Sequence, residues 1–188
     1  MPYRKIEFRA GEHYHLYNRG NNFQAIYFER ENYLYFLRLL REHITEVAEV
    51  IAYCLMPNHY HLLARLLMDD LSTAMQSFAL AYTKAVSKRY GRVGSLFQGP
   101  FKAVHVDLDE YLLHLSRYAH LNPVTARLVK QAEDWEFSSY REYLGLRDGS
   151  LPNPEIVLSR FPSPDAYRAF VEAYGERDQK LIEKLMLD

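Results

Sequence analysis

A chain of 188 residues with 48% hydrophobic content is long enough to bury a sizeable core and short enough for one domain with a small addition. Its net charge of -1 excludes a uniformly basic nucleic-acid coat, yet the charge is segregated: residues 1–130 hold 16 Lys and Arg against 12 Asp and Glu (+4), and residues 131–188 hold 7 against 12 (-5). A single cysteine, Cys54, rules out an internal disulfide or a thiolate zinc cluster, and with no apolar run of bilayer length and no signal-like N-terminus a soluble, cytoplasmic protein is expected.

In chain order, Glu12 to Asn18 alternates weakly and reads as a strand. Arg30 to Val47 carries Tyr33, Phe36, Leu37, Leu40 and Ile44 at helical spacing. Val50 to Leu55 is a second strand, Met56-Pro57-Asn58 a turn, and His59 to Leu66 the returning strand. Leu71 to Tyr90 forms a long helix, capped near Asp70 and ended by Gly91, and Phe101 to Val106 is a fourth strand. A helix starting at Asp107, with Glu110 three residues later, is predicted to stop against Pro123.

The order βαββαβ plus a helix predicts an α+β, ferredoxin-like antiparallel sheet with strand order 4-1-3-2, two helices on one face and the added helix over the other. Beyond it, Trp135 to Leu144 reads as a segment closing over the body. Asn153-Pro154-Glu155 and Ser163-Pro164-Asp165 are helix starts with proline at the first helical position. We divide the chain into a main domain, 1–145, and a small acidic helical C-terminal appendage, 146–188.

The motif with most chemistry is Met56-Pro57-Asn58-His59-Tyr60-His61-Leu62-Leu63. Alternate residues of a strand share a face, so His59 and His61 present two imidazoles that can chelate one metal ion. In the helix after the fourth strand, Leu108, Tyr111, Leu115, Tyr118 and Asn122 fall on one stripe at about 100° per residue, and Tyr118 and Asn122 are an i,i+4 pair. If that stripe covers the histidine strand, Asn122 can complete the coordination while Tyr118 aims at a phosphate. The duller readings are strand histidines hydrogen-bonded in place, a core tyrosine and an asparagine that ends a helix. His13-Tyr14-His15 is a second His-x-His, read as polar strand-face residues and not as a second metal site.

Together with Tyr14 to Asn22, Leu96-Phe97-Gln98-Gly99-Pro100-Phe101-Lys102, Arg117 to Val124 and Ser138-Ser139-Tyr140-Arg141, this motif resembles the single-tyrosine HUH transposases of the IS200/IS605 type, nearest to the REP-associated tyrosine transposases. The ordered blocks span about residues 10 to 145. The resemblance implies His59, His61 and Asn122 as metal ligands, Tyr118 as nucleophile, and a single-stranded DNA hairpin as partner. Pro100 stands where the family usually has a basic residue, and Thr125 and Arg127 replace the usual Arg and Gly after Asn-Pro; the catalytic set is intact.

Two imidazoles and an amide oxygen make an uncharged site suited to Mg²⁺ or Mn²⁺, the latter tolerating imidazole better, with phosphate oxygens filling the open positions. The expected reaction is metal-dependent cleavage of single-stranded DNA and strand transfer, which the resemblance implies runs through a 5′-phosphotyrosine. Two alternatives are a non-catalytic ferredoxin-like module that binds single-stranded nucleic acid and a metallohydrolase using activated water. Candidate DNA contacts are Arg19, Asn21 and Asn22 after the first strand, Lys84, Lys88 and Arg92 on or after the second helix, and Phe97, Gln98 and Lys102. Tyr118 could serve its own subunit or a neighbour's, the second case requiring a homodimer.

Overall fold

The computed structural model describes residues 6–107 and 109–175. Four strands form one antiparallel sheet: β1 (His13–Arg19), β2 (Ala48–Met56), β3 (His59–Leu66) and β4 (Lys102–Val106), in the order β2-β3-β1-β4. This is the sheet order and the α+β, ferredoxin-like class read from the sequence. The β2–β3 hairpin turns at Pro57-Asn58 and pairs Met56 with His59.

Strand alternation sorts the core into two layers. One face carries Tyr14 and Leu16 of β1 with Tyr60, Leu62, Ala64 and Leu66 of β3, packed against α1 (Arg30–His43) and α2 (Leu71–Tyr90). α1 contributes Tyr33, Phe36, Leu39 and Leu40, and α2 contributes Leu71, Met75, Phe78, Tyr82 and Val86. Gly91 closes α2 in the left-handed region at φ 61°, a conformation only glycine reaches without a steric cost.

The opposite face is covered by α3 (Asp109–Thr125), whose Leu112 and Leu115 meet Ile51, Ala52, Leu63 and Val106. Residues past 145 share this second core. Between α4 (Tyr140–Tyr143), α5 (Glu155–Leu158) and α6 (Pro164–Glu172), the side chains of Tyr143, Val157, Tyr167 and Val171 are all buried. Ser163 caps α6, accepting from the Ala166 N–H at 3.2 Å, with Pro164 at the first helical position. The exposed edge of β2 is closed by backbone pairing with 137–139: Leu55 N–H donates to Phe137 O at 2.9 Å and Ser139 N–H to Tyr53 O at 3.0 Å.

Two helix ends differ from the sequence reading. α1 ends at His43, because the chain turns through 44–47 to start β2 at Ala48. α3 does not stop at Pro123 but runs through it to Thr125. The proline lacks only the bond to the Ala119 carbonyl, and the helix then closes with Leu128 N–H on Pro123 O and Arg127 N–H on Val124 O, both at 2.9 Å. Arg127 takes the left-handed conformation of that closing turn at φ 57°. Leu108, the first member of the predicted stripe, lies outside the described residues.

Candidate active site

β3 delivers His59 and His61 to the α3 face, with ring centroids 5.0 Å apart and planes nearly perpendicular at 84°. β1 runs beside it in a register that sets Tyr17 opposite His61 and Arg19 opposite His59. Consequently His15, Tyr17 and Arg19 share the histidine face, one strand away. α3 then lays Tyr118 on His61, edge to face, at 5.3 Å between centroids. One turn on, Asn122 Nδ2 donates to the Tyr118 carbonyl at 3.1 Å, and the Asn122 amide neighbours both the His59 ring and the Tyr118 hydroxyl. Four side chains from two elements thus converge within one chain.

The partners of each ring differ. His59 Nδ1 lies 2.6 Å from Asn58 Oδ1, and Asn58 Nδ2 donates to the Phe23 carbonyl at 3.3 Å. His61 Nδ1 lies 2.9 Å from His15 Nε2, whereas His61 Nε2 is buried without a hydrogen-bond partner. Burial holds the His61 ring well below the usual histidine range, helped by its neighbours His15 and His59, and it lowers His59 as well. His15 is pushed down to about 3 by burial alone. All three imidazoles are therefore neutral at pH 7, the form that donates a lone pair to a metal. Burial raises the Tyr118 phenol, and the Asn122 hydrogen bond opposes that rise.

Among the described residues no three His, Cys, Asp or Glu side chains group as a metal cluster would need. A cation at this site would take two imidazoles and the Asn122 amide oxygen, an uncharged donor set that leaves positions for phosphate oxygens. The orphaned, neutral His61 Nε2 fits that role, because a buried lone pair without a partner carries a desolvation cost that a cation removes.

The predicted DNA contacts divide. Arg19 is exposed beside His59, reaches Gln98 through its Nε, and lies 4.2 Å over the ring of Phe23. Asn21 to Phe23 form a 3-10 turn with Asn22 and Phe23 both at positive φ, 50° and 59°. Gly20 makes that turn fit: a Cβ there would stand 2.0 Å from the Gln24 carbonyl oxygen. Arg92 donates to Gln24 at 3.0 Å, and Lys102 lies 6.0 Å from the Tyr17 ring on the histidine face. Lys84 and Lys88 are exposed on α2, which packs on the other side of the sheet, so the fold separates them from His59 and His61. Phe97 is a correction: it is buried at 6% exposure between Tyr60 and Tyr82, pulled into the core where Gly20 bridges to it, and offers no free ring to a base. The exposed aromatic of this surface is Phe23, 65% accessible, which lacks any periodic pattern that would reveal it in sequence.

Compared with models of known protein families the sequence matches none, and no curated protein matches it. Among solved structures, the chain is similar to a REP-associated tyrosine transposase bound to a REP hairpin, with a TM-score of 0.62 and 20% identity over 81% of this chain and 97% of that one. No helix among the described residues is long and apolar enough to cross a membrane. The protein shares the ferredoxin-like fold of that transposase.

Proposed function

We propose that this protein is a metal-dependent single-stranded DNA strand transferase of the tyrosine transposase kind, with Tyr118 as nucleophile and His59, His61 and Asn122 holding Mg²⁺ or Mn²⁺. The observation that carries this reading is the placement of Tyr118 against His61, with Asn122 one turn on beside Tyr118 and His59. The fold shared with a hairpin-bound transposase supports it.

When bound, the divalent ion supplies Lewis-acid stabilisation of the charge that gathers on the scissile phosphate. Tyr118 attacks phosphorus in line. Its oxygen forms a new bond to phosphorus as the bond to the 3′ oxygen breaks; the phenolic proton leaves to solvent and the 3′ oxygen leaves as a hydroxyl. The products are a 5′-phosphotyrosine and a free 3′-OH, and a second 3′-OH reverses the step without an added energy source. The Asn122 hydrogen bond favours the phenolate against the burial that disfavours it. Arg19 and Lys102, flanking the histidine face, neutralise backbone phosphates, and the exposed Phe23 stacks an unpaired base.

A strand-exchange assay tests this. With Mn²⁺, a labelled hairpin oligonucleotide with single-stranded flanks is cut, and a second strand bearing a 3′-OH is joined to the 5′ product; Tyr118→Phe does neither. Cleavage that persists in Tyr118→Phe points to a hydrolase, and tight binding without cleavage points to a binding module.

A further inference from the structure

We infer that His15 is a positioning residue for the candidate metal centre: its Nε2 accepts the Nδ1 proton of His61 and so frees the His61 Nε2 lone pair for a cation. This rests on the metal-dependent reading above and adds a part to it.

A neutral imidazole carries one N–H and one lone pair. His59 has its choice made by an acceptor, since Asn58 turns its Nδ2 to the Phe23 carbonyl and therefore its Oδ1 to His59 Nδ1. The proton sits on His59 Nδ1, and Nε2 is left as a lone pair. His61 has a different partner. Its Nδ1 faces His15 Nε2 at 2.9 Å, and a single proton lies between two rings that can each give or take it.

Two tautomer pairs fill this contact. In one, His15 donates and His61 carries its own proton on Nε2, where no acceptor waits and no metal can bind. In the other, His61 donates from Nδ1, its Nε2 is bare, and His15 carries its second-nitrogen proton on Nδ1, which has no partner among the described residues. A cation on His61 Nε2 selects the second pair. Neither ring can turn away: His15 is 2% exposed and stacks on His61 and on Tyr17, both at 5.1 Å. The contact spans β1 and β3 diagonally, because His15 pairs with Leu63 and Tyr17 with His61. Removing an outer hydrogen-bond partner that fixes the tautomer of a ligand histidine typically costs 10–100-fold in metal affinity.

The test measures Mn²⁺ affinity by electron paramagnetic resonance for the wild type, His15→Phe and His15→Gln, each checked for folding by thermal unfolding. His15→Phe keeps the ring and removes the acceptor, so binding weakens about 10–100-fold. The amide oxygen of His15→Gln can accept from His61, so most of the affinity returns. On the wild type loaded with Mg²⁺, long-range ¹H–¹⁵N correlation places the His61 proton on Nδ1, an observation that needs no variant to fold. Unchanged Mn²⁺ affinity in folded His15→Phe overturns the assignment and leaves the metal site standing, whereas a His61 proton found on Nε2 overturns the assignment and removes His61 from the ligands. A wild type that binds no Mn²⁺ overturns both.

Discussion

Tyr118 stands edge-on to His61, centroids 5.3 Å apart and planes at 76°, although one residue comes from a helix and the other from a strand more than fifty positions earlier. The contact is what the α3 stripe achieves by lying across the sheet face opposite α1 and α2. It brings a phenol to a neutral imidazole pair inside a single chain.

Removing the phenol should leave the fold intact. Tyr118→Phe keeps the ring against His61 and loses one hydroxyl, so unfolding free energy should change by about 1 kcal/mol or less. Chemical denaturation of both proteins checks this. A larger loss would mean that the hydroxyl is a structural anchor.

Acid should unfold the protein through its buried histidines. Burial pushes His15 and His120 down to about 3, whereas in the unfolded chain each titrates near the ordinary value of 6.5. Between those values the unfolded state holds the extra proton, so stability is full above about pH 6.5 and falls by about 1.4 kcal/mol per pH unit per histidine toward pH 3. Urea melts at pH 7.5, 5.5 and 4.5 measure the slope.

His120 ties α3 to both flanks. Its Nδ1 is 2.8 Å from the Tyr167 hydroxyl of α6 and its Nε2 2.8 Å from Ser139 Oγ, which accepts from the Tyr53 N–H of β2 at 2.9 Å. His120→Leu removes one partner from each of two buried hydroxyls, Tyr167, which keeps its bond to Ser116 Oγ, and Ser139, which keeps its bonds to Tyr53, for a loss of about 1–3 kcal/mol. The same variant should lose one histidine's share of the acid slope.

Arg127 occupies a left-handed position at φ 57° in the turn that closes α3. Arg127→Gly removes the steric cost of a Cβ there and should stabilise the protein by about 0.5–1 kcal/mol, partly offset by the freer unfolded chain. A thermal melt shifted downward would contradict this.

Phe23 presents its ring to solvent beside Arg19. Phe23→Ala should weaken single-stranded oligonucleotide binding by about 1–3 kcal/mol, with Phe23→Trp holding it, as measured by fluorescence anisotropy. Equal affinity for all three proteins would remove the ring from the interface.

Much of this arrangement was legible in the sequence because it rests on short-range periods. The alternation around His59 and His61, the glycine stop at Gly91 and the helical spacing that pairs Tyr118 with Asn122 are local signals, and each matches an element that formed. Other features depend on contacts across the chain. Pro123 looks like a stop, yet α3 needs only to forgo one hydrogen bond to pass it. Phe97 lies in a loop with no period, so nothing local distinguishes a core ring from an exposed one; its bridge to Gly20 decides. The pairing of His15 with His61 requires the β1–β3 register, and the burial of Tyr167 against His120 joins residues 47 positions apart.

Peptide mapping of the covalent product tests the central claim most directly. The protein, a single-stranded hairpin oligonucleotide and Mn²⁺ are mixed, denatured and digested, and the nucleotide-bearing peptide is fragmented by mass spectrometry. The prediction is a 5′-phosphonucleotide on the Tyr118 oxygen, absent when His61→Ala replaces the wild type. A phosphonucleotide on any other tyrosine, or cleaved DNA with no peptide attached, would contradict it.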